Sequence, residues 1–263
     1  MNKKVQNKTK KKLKLRVNVL IKIIIFFLFI GLFILYISTL KINHIKITGN
    51  TVTKDIEIIE KAEIENYPEI YKLNFKKIKD EIKNIPLIKD VKIKRNIFGK
   101  LTIDVTEDKI LFFYKYNNKF ITSSGESIPD SDTFYGYPTL INFTPDTIFD
   151  DFVSGLNKID YNIIRMINEI EYTPYKSADG TVIDNNHFTL KMNDTNTVMI
   201  DTVNIKNLNK YNTIIASPDM DTNHGVIYLD TINEDRIYIK SYDTINKEEE
   251  EKNKESLPEN NQN

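Results

Sequence analysis

The side chains able to do chemistry are scattered along the chain, and their spacing argues against catalysis. There are three histidines, His44, His187 and His224, and no cysteine. No H-E-x-x-H or H-x-x-E-H spacing joins a histidine to a carboxylate, no G-x-S-x-G presents a nucleophile, and no glycine loop is laid out to cradle phosphate. Without cysteine there is no thiol nucleophile, thiolate metal site or disulfide framework. The segment Asp219-Met220-Asp221-Thr222-Asn223, followed by Gly225 and Asp230, approaches a calcium loop. Its glycine falls one place late, position twelve is Asp instead of Glu, and the residues that follow alternate like a strand, so a polar inter-strand loop is expected. Asp104 and Glu107 alternate along one strand pattern, and Lys92, Lys94 and Arg95 along its neighbour. These read as solvated faces, because lone carboxylates lack the close partner that acid–base work needs. No catalytic residue, metal ligand, cofactor or small-molecule substrate is expected.

The element that must position everything else is the run from Ile23 to Leu40, 18 residues without a charge. At about 1.5 Å per residue it covers about 27 Å, against a hydrocarbon core of about 30 Å, and 17–21 can extend it. One uncleaved transmembrane helix is expected. The alternative is a signal peptide, but the run exceeds the roughly 7–15 residues of an h-region and Ser38-Thr39-Leu40-Lys41-Ile42 offers no A-x-A-like site. Residues 1–40 carry nine Lys and Arg and no acid, which leaves 28 basic against 37 acidic residues beyond Leu40. The basic arm therefore stays cytoplasmic and the rest lies outside. Topology and anionic lipid account for the lysine run better than a nucleic-acid arm does, so no nucleic acid is expected as a partner.

Outside the membrane, Ile42 to Thr48 alternates and stops at Gly49-Asn50, which predicts a strand. Thr53 is expected to cap a helix that carries Asp55 and Glu57 in its first turn. Asn74 is expected to cap a second helix, with Leu73 and Ile78 as its staple, Phe75, Ile78, Ile82 and Ile85 on one face, and Pro86 as its stop. Residues 91–95 and 101–107 alternate with period two and predict a hairpin around 96–100. The order is β-α-α-β-β. Farther on, Ile110 to Tyr116 and Lys119 to Thr122 flank Asn117-Asn118 as a second hairpin. Two helices follow; Asp160 caps the second, in which Ile163, Met166, Ile167 and Ile170 share a face. Strands are expected at 188–192, 197–200, 226–229 and 236–240, a hairpin turn at 193–196 and a helix over 204–216. The tail at 243–263 holds four consecutive glutamates, Glu248 to Glu251, and is expected to be disordered.

The stretches Ile45-Lys46-Ile47-Thr48-Gly49-Asn50, Asn84 to Arg95 and Leu101 to Glu107 resemble a POTRA domain. Carried behind one signal-anchor helix and a basic arm, such a domain resembles the FtsQ/DivIB family of bacterial cell-division proteins. Phe98-Gly99 stands where that family commonly has a Pro-Asn-type turn. Gly125, Tyr137-Pro138-Thr139-Leu140 and Gly225-Val226-Ile227-Tyr228-Leu229-Asp230 look like landmarks of the family's second, β-rich domain. The fold class expected is α+β: one N-terminal transmembrane helix, a POTRA domain and a β-rich domain of mainly antiparallel strands with flanking helices. The expected division is 1–16 basic cytoplasmic arm, 17–40 transmembrane helix, 41–108 POTRA domain, 109–242 β-rich domain and 243–263 acidic tail.

The resemblance implies a non-catalytic divisome scaffold outside the cytoplasmic membrane, located at the division septum and helping to regulate septal peptidoglycan synthesis. It implies as partners the FtsL-like and FtsB/DivIC-like single-span coiled-coil proteins. It also implies that an edge strand among the last strands receives them by β-augmentation, with Tyr228, Leu229, Ile237 and Tyr238 as partner-binding residues. Two alternatives belong to other classes: a POTRA-containing envelope transport or assembly module, and a membrane-anchored cell-wall enzyme.

Overall fold

The computed structural model describes residues 17–131, 133–217, 224–230 and 237–255. The basic arm, residues 219–223 of the calcium-like loop and the last eight residues of the expected tail lie outside the described residues. Helix α1 (Val17–Ser38) is 22 residues, almost all apolar apart from Asn18, Lys22 and Ser38, with none buried, and is long and apolar enough to cross a membrane. The chain divides into two compact units, Met1–Ile85 with Asp90–Thr106, and Pro86–Lys89 with Glu107–Asn263.

In the first unit β1 (His44–Thr48) is followed by α2 (Asp55–Lys61), α3 (Phe75–Lys83), β2 (Ile88–Arg95) and β3 (Lys100–Glu107). The strand order is β1-β3-β2, with β1 parallel to β3 in the register His44↔Lys100 to Thr48↔Asp104. A parallel pair needs a long crossover, and the two helices with β2 supply it. Leu101, Ile103 and Val105 alternate inward from β3 and are buried, as are Ile58 of α2 and Ile82 of α3. Asn74 caps α3 as expected, its Oδ1 accepting from the N–H of Lys76 (3.1 Å) and Lys77 (3.2 Å). Thr53 does not take the expected N-cap position of α2. That position falls to Lys54, which makes no side-chain cap, and Thr53 is buried. Asn50 organises this turn by donating to Thr53 O (2.8 Å) and Asp55 Oδ1 (2.7 Å).

The second unit is built on β4 (Ile110–Tyr114), β5 (Lys119–Thr122), β6 (Ser127–Pro129), β7 (Thr139–Leu140) and β8 (Ile167–Tyr172), then β9 (Tyr175–Lys176) and β10 (Val182–Asp184). It continues with β11 (His187–Met192), β12 (Thr197–Asp201), β13 (Gly225–Tyr228) and β14 (Tyr238–Ser241). All but the β9–β10 ribbon join one nine-stranded sheet in the order β14-β13-β12-β11-β8-β7-β4-β5-β6. Its pairs are mainly antiparallel, with parallel pairs at β12–β13, β4–β7 and β7–β8. Helix α4 (Asp146–Leu156), the short α5 (Tyr161–Ile164), a 3-10 segment (Ile205–Lys210) and α6 (Tyr211–Ile215) share one core with the inward residues of the sheet. Phe152 of α4 lies flat on Phe188 of β11, ring centroids 3.9 Å apart at 16°.

Three expectations are corrected here. Asp160 does cap α5, accepting from Asn162 N–H at 2.8 Å, but that helix ends at Ile164, and Ile167 and Ile170 lie on β8 instead of its face. Their three-residue spacing fits a helix. Pairing with β7 and β11 on either side turns it into a strand, and a register shift beside Ile167 lets both residues bury. The helix expected over 204–216 is a 3-10 segment passing into α6. The tail expected to be disordered from 243 is instead helical from Tyr242 to Glu255, as α7. Ser241 Oγ caps it by accepting from Thr244 N–H (3.2 Å), Lys240 pairs with Glu248, and Glu248 and Lys252 have the favourable i, i+4 spacing.

Asp108 ties the start of the second unit together. Its N–H donates to Leu87 O (2.7 Å), and its buried carboxylate accepts from the hydroxyls of Ser123 and Ser124 and from Ser124 N–H (3.1 Å). Burial alone would raise this carboxyl. The donations from Ser123, Ser124 and Thr122 outweigh burial and hold it down at about 2, against an ordinary 3.8. A depressed folded pKa contributes stability that is present above the unfolded value and lost as pH falls toward about 2. Asp108→Ala is expected to destabilise the protein by about 1–3 kcal/mol at neutral pH, because it strands these donors. The same change should flatten the loss of thermal stability between about pH 4 and pH 2, read by circular dichroism melts.

Candidate protein-binding edge

The residues that the sequence singles out gather at one end of the large sheet. Strand β14 is the terminal strand in that order, so one of its two sides pairs with no further strand among the described residues. It pairs antiparallel with β13 through Gly225↔Ser241, Val226↔Lys240, Ile227↔Ile239 and Tyr228↔Tyr238. Tyr228 and Tyr238 are thus directly opposite, and their rings sit 5.4 Å apart. Tyr238 is 55% exposed and Ile237, just ahead of the strand, is 38% exposed. Tyr228 is half-buried. Leu229 departs from the expectation for a contact residue: it is 2% exposed, inside the core, with its N–H donating to Met199 O at 2.8 Å. Alternation sends Leu229 to the helix-covered side of the sheet, where it supports the edge from behind.

What holds the edge in place was not visible in the spacing of its own residues. Asn196, buried in the β11–β12 turn, accepts from Gly225 N–H through Oδ1 (3.0 Å) and donates through Nδ2 to Tyr211 Oη (3.3 Å). Tyr211 in turn donates to the Asp194 carboxylate at 2.8 Å. Burial first, and then this carboxylate, raise the Tyr211 phenol above its ordinary range, so it remains a donor. Gly225 leaves no room for a side chain, since a Cβ there would lie 2.3 Å from Lys240 O. On the far side Tyr242 Oη donates to Thr195 O (3.1 Å), which moors the start of α7 to the same turn.

A second cluster lies beside this edge and was missed because Asp230, which closes it, is 43 residues from His187 in sequence. His187, buried at the start of β11, has Nε2 3.0 Å from Asp184 Oδ2 and Nδ1 3.3 Å from Asp230 Oδ2. The Tyr175 ring lies 3.8 Å from the imidazole, and its hydroxyl donates to Asp230 Oδ2 at 2.7 Å. Burial, followed by that bond, raises the Tyr175 phenol. Asp184 is lowered, first by the Asn186 N–H and then by His187, against the opposing effect of burial. The hydroxyl reaches the carboxylate and not the imidazole, so the arrangement does not present an activated nucleophile. It stitches the β9–β10 ribbon and Asp230, two residues past β13, to β11. Among the described residues no group of three or more His, Asp or Glu is placed to hold a metal ion.

Comparison with known proteins bears on residues 40–108 most directly: they match the family model "POTRA domain, FtsQ-type". Curated relatives include Cell division protein DivIB of Staphylococcus aureus, 26% identical over 54% of this chain and 33% of its own length. DivIB of Listeria monocytogenes is 26% identical over 67% of this chain and 65% of its own length. The chain thus spans between about a third and about two thirds of these relatives. The solved extracytoplasmic domain of the trans isomer of DivIB from Geobacillus stearothermophilus aligns with 45% of this chain and 99% of its own, at 15% identity and a TM-score of 0.34.

The close approach at Gly225 yields a direct test of how the edge is built. Gly225→Ala should push Lys240 away and cost about 1–3 kcal/mol, as overpacking against backbone does. The amides of β14 should then exchange with deuterium faster, while those of β8 and β11 keep their protection.

Proposed function

We propose, for a chain that belongs to the FtsQ/DivIB family by its FtsQ-type POTRA domain and its DivIB relatives, that it is a non-catalytic scaffold of the bacterial division machinery. It is held in the cytoplasmic membrane by α1, with the basic arm 1–16 inside, the POTRA domain 41–108 and the β-rich domain 109–242 outside, and its place of work at the septum. The observation that carries the binding part of the reading is the open side of β14 with Tyr238 exposed on it. A terminal strand leaves backbone N–H and C=O groups for a further strand to complete, and side chains beside it supply selectivity. An extended segment of a small single-span coiled-coil division protein, FtsL-like or FtsB/DivIC-like, is the occupant proposed. Tyr238 and Ile237 form its contact surface, with Tyr228 packed against Tyr238. Binding there would couple those proteins to control of septal peptidoglycan synthesis.

Exposure separates binding from folding in the test. Tyr238→Asp in the full chain is expected to weaken binding of the purified coiled-coil partners by about tenfold or more, the size of a hot-spot loss, with the melting temperature nearly unchanged. Unchanged affinity in both Tyr238→Asp and Ile237→Asp would remove the edge from the function. A fluorescent fusion of the wild-type chain is expected to concentrate at mid-cell during constriction, and a uniform membrane signal at every stage would contradict the division role.

A further inference from the structure

The residues that follow α1 are clamped from two directions as soon as they leave it. Leu40 O accepts from Ile70 N–H (2.9 Å), Ile42 N–H donates to Pro68 O (3.0 Å), and Lys41 bridges to Glu69. From the other direction Asn43 N–H donates to Gly99 O (3.0 Å) and Asn43 Nδ2 to Phe98 O (2.6 Å). A Cβ on Gly99 would come within 2.7 Å of Lys41 O, so the β2–β3 turn rests on the first charged residue after the apolar run. Helix α1 ends at Ser38, and five residues of chain to Asn43 reach at most about 17 Å. Both the 67–70 segment and the 96–99 turn are therefore held where the chain emerges from the bilayer.

What this turn exposes does not suit water. Ile97 is 61% exposed and Phe98 72%, side by side at its tip, while Tyr67 is exposed on the opposite clamp. Cations flank them. Lys94, Arg95 and Lys100 are exposed, and Arg95 is fixed by donation to Ile70 O (2.9 Å) and by its place 4.6 Å from the Tyr71 ring. Of the acids on the 65–69 segment, Glu69 is paired with Lys72 and Glu65 is exposed, outnumbered by these cations. An aromatic and an aliphatic tip ringed by basic groups is the composition that seats in the headgroup region of an anionic bilayer.

We infer that the β2–β3 turn is a second membrane contact, in which Ile97 and Phe98 insert into the interface of the anionic outer face of the bilayer beside α1. This rests on α1 spanning the membrane. The contact makes the first unit a lipid-seated base and removes the free swivel that a single helix would leave.

The chain has no tryptophan, so a single introduced one reports alone. Full-length Phe98→Trp, Ile97→Trp, Phe33→Trp and Tyr135→Trp variants would be placed in nanodiscs of equal phosphatidylglycerol and phosphatidylcholine. Phe33 lies in α1, and Tyr135, 80% exposed, lies in the second unit. Lipids brominated high on the acyl chain should quench Phe98→Trp and Ile97→Trp roughly twofold or more and blue-shift them, while aqueous acrylamide quenches only Tyr135→Trp. If Phe33→Trp is quenched by brominated lipid but Phe98→Trp and Ile97→Trp respond to acrylamide, the turn contact is wrong and the spanning helix stands. Protection from acrylamide without lipid quenching would mean that protein covers the turn, and this also overturns the inference. No lipid quenching at Phe33→Trp would overturn the spanning helix and the inference together.

Discussion

The larger unit depends on Phe152 lying against Phe188. An open sheet of nine strands is apolar on one face and has to bury it, and this stack fixes α4 over β11, the strand that pairs with both β8 and β12. Phe112 of β4 extends the same contact at 6.1 Å, so strands that are remote in sequence close over one helix. Everything outward is laid down by register from there: β12 on β11, β13 on β12, β14 on β13. The exposed edge has few core contacts of its own, and its geometry is inherited from a stack near the middle of the sheet.

The first unit was legible in the sequence because its elements are specified locally. Period-two alternation in β3, the Asn74 cap and the glycine turn each act within a few residues, so one-dimensional pattern and three-dimensional outcome agree. The second unit was legible where the same held, at Asp160 and at the 193–196 turn. It misled where pairing decided. Ile163, Met166, Ile167 and Ile170 carry helical spacing, yet two waiting strand edges outweigh four residues of helix propensity. The tail misled for the opposite reason: it is too polar to bury a core, but a cap at Ser241, a tyrosine moored to the β11–β12 turn and charge pairs order it without one.

The candidate edge was half legible. Tyr228 and Tyr238 were marked only through the family resemblance, and the buried relay from Asp194 through Tyr211 and Asn196 to Gly225 has no linear signature. The same is true of His187, whose two carboxylates come from positions three residues before it and forty-three after it. Leu229 shows the limit of reading an edge by position alone, since its neighbour Tyr228 is half-buried while Leu229 itself is sealed in the core.

Strand β7 is two residues long, and both its pairings are parallel: Thr139 and Leu140 face Phe113 and Tyr114 on one side and Glu169 and Ile170 on the other. The nine strands are therefore two smaller sheets sewn by one stitch. The two residues of β7 contribute only a handful of backbone hydrogen bonds along this seam, so the joint is carried by the shared core, in which Phe152 touches Phe112 on one side and Phe188 on the other. The β4–β6 hairpins and the β8–β14 half each have their own ladders, but neither can leave the other without opening that core.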